Sequence, residues 1–188
     1  MKEIIKDIKV KKVEDKVNID FYRVSYVENG KKKEVEVAKS LDVVKILLYH
    51  KEKNAFLIIR QFRPLVYINH PDLAYRYELC GGREDKPNLT SKEVAKEEVL
   101  EECGYKVDDL EYVTTFVTYV KMHLYYACID ESMKVNSGGG VDYENIQLHF
   151  LPVDEAKEFA LNPKYPNRPA FAFSIWWWFD KKYKNIQA

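Results

Sequence analysis

Two apolar runs set the frame for this chain. Residues 42–49 carry Val43, Val44, Ile46, Leu47 and Leu48, and residues 55–61 carry Phe56, Leu57, Ile58 and Ile59. A short polar turn, residues 50–54, separates them, so the pair reads as a hairpin of strands. Neither run alternates apolar with polar residues. Strands of that kind are buried on both faces, and a sheet built on them must be covered by a further layer on each side. At 188 residues the chain is long enough to supply those layers within one main domain.

The remaining segments are read around this pair. Residues 18–27 are rich in β-branched and aromatic residues and lead into Glu28-Asn29-Gly30-Lys31. Asn-Gly accepts the positive φ angles of a tight primed turn, and residues 33–37 alternate charged and apolar like a return strand. This sets off an N-terminal antiparallel β-hairpin region, residues 1–40, from a larger domain, residues 41–188. Past Pro87 the period changes. Thr90 or Ser91 suits an N-cap, Glu93 can close a capping box, and Gly104 stands where a helix stops, which predicts a helix over 91–103. Strands are expected at 111–120, 124–129 and 146–151, and helices at 152–161 and 168–183. The order is α+β with a mixed β-sheet rather than a regular βαβ repeat.

Charge and composition narrow the function classes. Lys plus Arg and Asp plus Glu each number 30, so a protein that coats nucleic acid is not expected. No apolar run approaches the ~18–20 residues of a membrane span, and residues 1–12 do not resemble a signal peptide. Cys80, Cys103 and Cys128 are odd in number and lack metal-type spacing, which points to reduced thiols and a cytoplasmic location. His50, His70, His123 and His149 show no ligand-like spacing either, so a histidine metal site is not expected. Trp176, Trp177 and Trp178 cannot share one face of a helix, where neighbours are ~100° apart. They read as packing of a C-terminal helix. Tyr67, Tyr75 and Tyr77 are read as interface or packing residues, with base stacking the less favoured use.

The segment with the most chemistry is KEVAKEEVLEECGY, residues 92–105. Five glutamates fall between Glu93 and Glu102. Glu98 stands at i, i+4 from Glu102 and at i, i+3 from Glu101, spacings that place three carboxylates on one side of a helix. Like charges so placed repel, and two arrangements relieve them: full solvation, or a hard cation such as Mg²⁺, Mn²⁺ or Ca²⁺.

The flanks discriminate between these. The run ELCGGREDKPNLTSKEVAKEEVLEECGY, residues 78–105, resembles the box of the Nudix hydrolase family at Gly82, Glu98, Val99, Glu101, Glu102, Gly104 and Tyr105. The Gln61-Phe62-Arg63-Pro64 run, Gly138-Gly139-Gly140 and Leu151-Pro152-Val153 are similar to the branch that hydrolyses UDP-sugars and ADP-ribose, as is the loop after Gly82. The resemblance extends from about residue 43 onward. It implies an α/β/α sandwich and Mg²⁺-dependent (Mn²⁺ possible) hydrolysis of a nucleoside diphosphate sugar to a nucleoside monophosphate and a sugar phosphate. It further implies metal held by Glu98, Glu101, Glu102 and the Gly81 carbonyl, and substrate approach at Gly82 and Arg63. Glu144 matches the loop glutamate proposed as general base, with Asp142 a weaker candidate. Members of that branch are homodimers whose N-terminal strands cross to the partner, so a homodimer is expected.

Two departures stand against a simple transfer. Glu97 occupies the position of the box arginine, adding negative charge where positive charge orients the glutamates. The segment between Tyr112 and Tyr125 is short and lacks a substrate-loop signature; Lys121 and His123 lie in it, read as a surface pair in preference to phosphate contacts. Two alternatives follow: a Nudix-fold nucleotide-binding module with impaired catalysis, and a hydrolase of another nucleoside diphosphate derivative.

Overall fold

The computed structural model describes residues 21–141 and 144–183. The candidates Asp142 and residues 1–12 lie outside the described residues. The chain divides between Ser40 and Leu41 into two compact units.

The first unit is a hairpin of β1 (Phe21–Glu28) and β2 (Lys31–Ala38), paired antiparallel in full register from Phe21↔Ala38 to Glu28↔Lys31. Asn29 (φ 51) and Gly30 (φ 75) make the turn as the dipeptide predicts. Both strands are exposed throughout, including Phe21, Tyr22, Val24, Val27 and Val35.

The second unit is built on β3 (Val43–His50) and β4 (Ala55–Phe62). They form the expected hairpin, and Val44, Ile46, Leu47, Leu48 and residues 56–59 have no solvent exposure. The sheet runs β5-β4-β3-β7-β6, with β8 also pairing β4. Its other strands are β5 (Tyr75–Glu78), β6 (Glu111–Val117), β7 (Lys121–Ile129) and β8 (Gln147–Pro152). β3 and β7 are parallel and the other pairs antiparallel, so the sheet is mixed.

Helices cover both faces. One core gathers Val44, Ile46, Leu48 and Leu57 under α2 (Ser91–Glu98), whose Val94 and Ala95 point inward. The other gathers Leu47, Tyr49, Phe56 and Ile58 under α3 (Val153–Leu161) and α4 (Pro169–Lys181). Consecutive side chains of a strand point to opposite faces, and this alternation divides β3 and β4 between the two cores. The result is the expected α/β/α sandwich.

Three local readings are corrected. The strand expected over 111–120 ends at Val117, and β7 begins at Lys121, because Thr118–Val120 form a tight turn in which Thr118 N–H donates to the Val120 carbonyl (3.0 Å). The helix α1 (Pro64–Asn69) and the strand β5 carried no clear period and were not anticipated. The helix predicted over 91–103 is α-helical only to Glu98; Val99–Cys103 form a π turn closed by Gly104 (φ 78).

The tryptophans separate as helical geometry requires. Trp178 is fully buried, its ring centroid 4.8 Å from Tyr49 and 4.9 Å edge-on to Phe56. Trp177 meets Tyr126, and Trp176 is 40% exposed. Trp178→Ala is therefore expected to cost about 3–5 kcal/mol of unfolding free energy in urea titrations, against roughly 0.5 or less for Trp176→Ala.

Candidate active site

β4 pairs with β3 only over its first residues, then leaves it to pair with β5. Into the resulting gap runs the chain that follows β5. Ile46 N–H donates to the Cys80 carbonyl and Val44 N–H to the Gly82 carbonyl, each at 2.9 Å. Gly81 sits between them at φ +134, and a side chain there would overlap the Val44 carbonyl. Glycine is required here on grounds of both conformation and space.

α2 approaches this segment from its N-terminal cap. Thr90 and Glu93 form the complete capping box read from the sequence. The π turn then alters the helical register. Glu98 and Glu102 lie at the two Gly81–Gly82 contacts, and Glu101 stands close enough to Glu98 to repel it. Glu98 lies over Gly82, so closely that a Cβ at 82 would overlap its carboxylate. Glu102 Oε2 accepts the Gly81 N–H at 2.8 Å. Glu101 is partly exposed and faces Lys86 instead, Nζ to Oε1 3.6 Å.

The Gly138–Gly140 run fixes the far end of the π turn. Gly139 N–H donates to the Glu102 carbonyl (2.8 Å) and Gly140 N–H to the Glu101 carbonyl (3.1 Å). All three glycines have positive φ, and a Cβ at Gly138 would press on the Glu102 carbonyl. Glu144 follows on an exposed turn whose amide and carboxylate both bond Val141. It lies near enough to act electrostatically on Glu98 and Glu102.

Both inner carboxyls are held toward their protonated forms. Burial, then repulsion from Glu102 and Glu101, pushes the Glu98 carboxyl up to about 7. Burial also raises Glu102, against the pull of Lys45 and the Gly81 N–H. Uncompensated negative charge among hard oxygen donors fits a divalent ion such as Mg²⁺. Glu98 and Glu102, with Glu101 at the margin, are the residues that would hold it, and the Gly81 carbonyl is a further oxygen beside them.

Arg63 is already partnered. Its Nε and one Nη donate to the two carboxylate oxygens of Glu78, at 3.1 and 2.7 Å. Glu78 is 4% exposed, and Lys45 (3.9 Å) and Arg168 (4.0 Å) also face it. Burial would raise its pKa, but these three cations outweigh burial and hold it low.

Glu97 also finds a partner: Lys86, from the loop before α2, forms an ion pair with it and lies beside Glu101. The negative charge that Glu97 adds is thereby offset from the loop. His123 bonds Thr115 (Nδ1···Oγ1 2.8 Å) and faces Glu84, while the Lys121 backbone N–H donates to Asp42. Tyr67 and Tyr75 pack on Phe62, and Tyr77 on His149, Phe159 and Tyr165.

Sequence reading passed over Lys45, Glu78, Lys86 and Arg168. Lys45 had a signal: it is the lone charge inside the apolar run VVKILLY. A second ligand-type group, His50, Glu52 and Glu131, joins at the opposite end of β3, although no spacing indicated it. There Lys53 pairs with Glu131, offsetting one of the group's two carboxylates, and its backbone N–H donates to His50 Nδ1 (3.4 Å).

No protein-family model matches the chain. It is 30% identical over 189 residues to uridine diphosphate glucose pyrophosphatase of Bos taurus, spanning 82% of this chain and 85% of the relative. It is 35% identical over 126 residues to GDP-mannose pyrophosphatase of Pectobacterium atrosepticum, 64% of each chain. A solved ADP compounds hydrolase has the same fold, with a TM-score of 0.70 over 89% of this chain and 90% of that one, at 17% identity. With the box in place at Gly82–Tyr105 and a relative of this similarity over most of both chains, the protein belongs to the Nudix hydrolase family.

The raised Glu98 carboxyl gives a pH signature. Between its ordinary value of 4.5 and about 7 the folded chain retains a proton that the unfolded chain has released. Stability of the metal-free protein in EDTA is therefore expected to fall as pH rises through that window and to level off above it. The fall from this group should be roughly 1–2 kcal/mol after solvent screening. Denaturant titrations should show Glu98→Gln flattening this slope and saturating Mg²⁺ opposing it.

Proposed function

We propose that this protein hydrolyses the diphosphate bond of a nucleoside diphosphate sugar with Mg²⁺, Mn²⁺ serving in its place, releasing a nucleoside monophosphate and a sugar phosphate. The observation that carries this reading is the half-buried Glu98 and buried Glu102 converging on the Gly81–Gly82 backbone, in a chain whose relatives are named for UDP-glucose and GDP-mannose.

The chemistry follows from the charges. A diphosphate repels an incoming nucleophile, and a bound divalent ion neutralises that repulsion and acidifies water. Glu98 and Glu102 would hold the ion, with Glu101 and the Gly81 carbonyl as further oxygen donors. Gly82 lacks a side chain and lets the diphosphate approach the backbone. Arg63, oriented by Glu78, turns its remaining Nη toward a phosphate oxygen. Water adds its oxygen to one phosphorus, the bridging P–O bond breaks, and the departing phosphate leaves with the bond electrons. Glu144 takes the proton of the attacking water; its exposed turn beside the pair gives it access to solvent. Pairing of Glu97 with Lys86 supports an active enzyme over an impaired binding module.

Residues 41–188 act in this reading as the hydrolase domain and residues 1–40 as a dimer-forming region. A two-stranded hairpin is marginal by itself, and Phe21, Tyr22, Val24 and Val27 call for cover; a second copy of the chain supplies it. Three free cysteines, two of them buried, agree with a cytoplasmic setting. Among the described residues no helix is long and apolar enough to cross a membrane.

Two measurements test the reading. Phosphate-coupled assays with UDP-glucose, GDP-mannose and ADP-ribose should show Mg²⁺-dependent turnover of at least one, reduced roughly 10²-fold or more by Glu98→Gln. No turnover on any member of the panel, or an undiminished variant, would refute it. Light scattering should give twice the chain mass, falling toward the monomer in a Phe21→Glu, Val24→Glu double variant. A wild-type protein that is monomeric at all concentrations would remove the dimer.

A further inference from the structure

Four cations gather around one buried carboxylate. Arg63 binds both oxygens of Glu78, and Lys45 Nζ and Arg168 Nε stand 3.9 and 4.0 Å from it. Arg76 lies two residues before Glu78 on β5, so its side chain leaves the same face of the strand. One carboxylate cannot balance four positive charges, and a cluster with such a cationic excess draws an anion.

The four differ in what they have left to give. Lys45 is buried, and its Nζ donates to the Gly81 carbonyl at 2.8 Å and to the Leu79 carbonyl at 3.3 Å. Arg63 has committed its Nε and one Nη to Glu78. Arg76 Nε is buried without a partner. Burial first, and then the charges of Arg168 and Arg63, lowers the Arg76 pKa from its ordinary value against the pull of Glu78, so the guanidiniums are close enough to repel one another. Arg168 is the least committed. It is the N-cap residue of α4, yet its side chain makes no capping bond. Among the described residues its one ionic partner is Glu78, at a distance beyond hydrogen-bond reach, and its side chain is 53% exposed.

The place of the cluster indicates the anion. Lys45 connects it to the Gly81 carbonyl, so a single ammonium separates it from the backbone at which the proposed reaction brings the diphosphate. A guanidinium presents paired N–H groups in one plane, matched to two oxygens of a phosphate. Glu78 holds Arg63 by two hydrogen bonds and Arg168 by attraction alone. Arg168 can therefore turn onto a ligand while Arg63 stays in place.

We propose that Arg168 is a second phosphate-binding guanidinium, working with Arg63 across the shared Glu78 to grip the substrate's diphosphate without the help of metal. The proposal rests on the reading of the chain as a hydrolase of nucleoside diphosphate sugars.

The probe is inorganic pyrophosphate, titrated calorimetrically into the full-length protein in EDTA. The wild type is expected to bind it, and Arg168→Met to bind it about tenfold more weakly. Arg168→Lys keeps the charge without the paired donors and should fall between. Lys106→Met removes an equal charge from an exposed position elsewhere and should bind like the wild type. No binding by the wild type, equal binding by Arg168→Met, or an equal loss in Lys106→Met overturns the proposal. A second measurement needs no variant: pyrophosphate should shield Arg168 of the wild type from phenylglyoxal, read by peptide mass mapping, and equal labelling with and without it overturns the proposal too. The two readings fail separately. Pyrophosphate binding that depends on Arg168, in a protein that turns over no nucleotide sugar, refutes the proposed substrate and keeps the second guanidinium. Turnover of a nucleotide sugar with pyrophosphate binding indifferent to Arg168 refutes the second guanidinium alone.

Discussion

The antiparallel seating of residues 80–82 on the first half of β3 is the contact on which the rest of the site depends. Two backbone hydrogen bonds, from Ile46 to Cys80 and from Val44 to Gly82, fix a segment with no room for a side chain at Gly81 and with the Glu98 carboxylate over Gly82. Because that backbone is fixed, the Gly81 N–H has one direction in which to donate, and Glu102 lies along it. The Gly81 carbonyl points to Lys45, and Glu98 fills the space over Gly82. Loss of this seating would release an amide, a carbonyl and the Glu98 and Glu102 carboxylates together.

The site is an arrangement of charges that are individually costly and mutually dependent. Glu78 stays ionised although buried, because Lys45, Arg63 and Arg168 surround it. Glu98 and Glu102 lack equivalent compensation and are held partly against ionisation. The contrast is the physical basis for assigning the second pair, and not the first, to an external cation. Backbone amides of Gly139 and Gly140 secure the end of the π turn, which leaves the carboxylates little freedom to separate and relieve their repulsion. Burial without relief is what makes the pair receptive to a divalent ion.

Much of the architecture was legible because it follows from local pattern. Continuous apolar runs required a sheet covered on both faces, Asn29-Gly30 specified a hairpin turn, and Thr90 with Glu93 marked the start of α2. The carboxylates and the glycines of the box were equally visible. Lys86 opposite Glu97 was not, because the pair is 11 residues apart across a loop whose path has no periodic signal. β5 escaped notice because Tyr75–Glu78 is too short to display a period. The π turn escaped because its residues are ordinary helix formers, and the Gly139 and Gly140 amides that bond its carbonyls lie more than 30 residues further along the chain.

By itself the sequence determined which residue types the chain commits to one helix and one glycine pair, since spacing and composition are properties of the string. Only the tertiary structure decided how those charges are shared. Lys45, Glu78 and Glu102 are separated by 33 and 24 residues along the chain, and their meeting depends on β4 leaving β3 so that residues 80–82 can take its place. Coulomb energy depends on distance and burial, and neither exists until the sheet has formed.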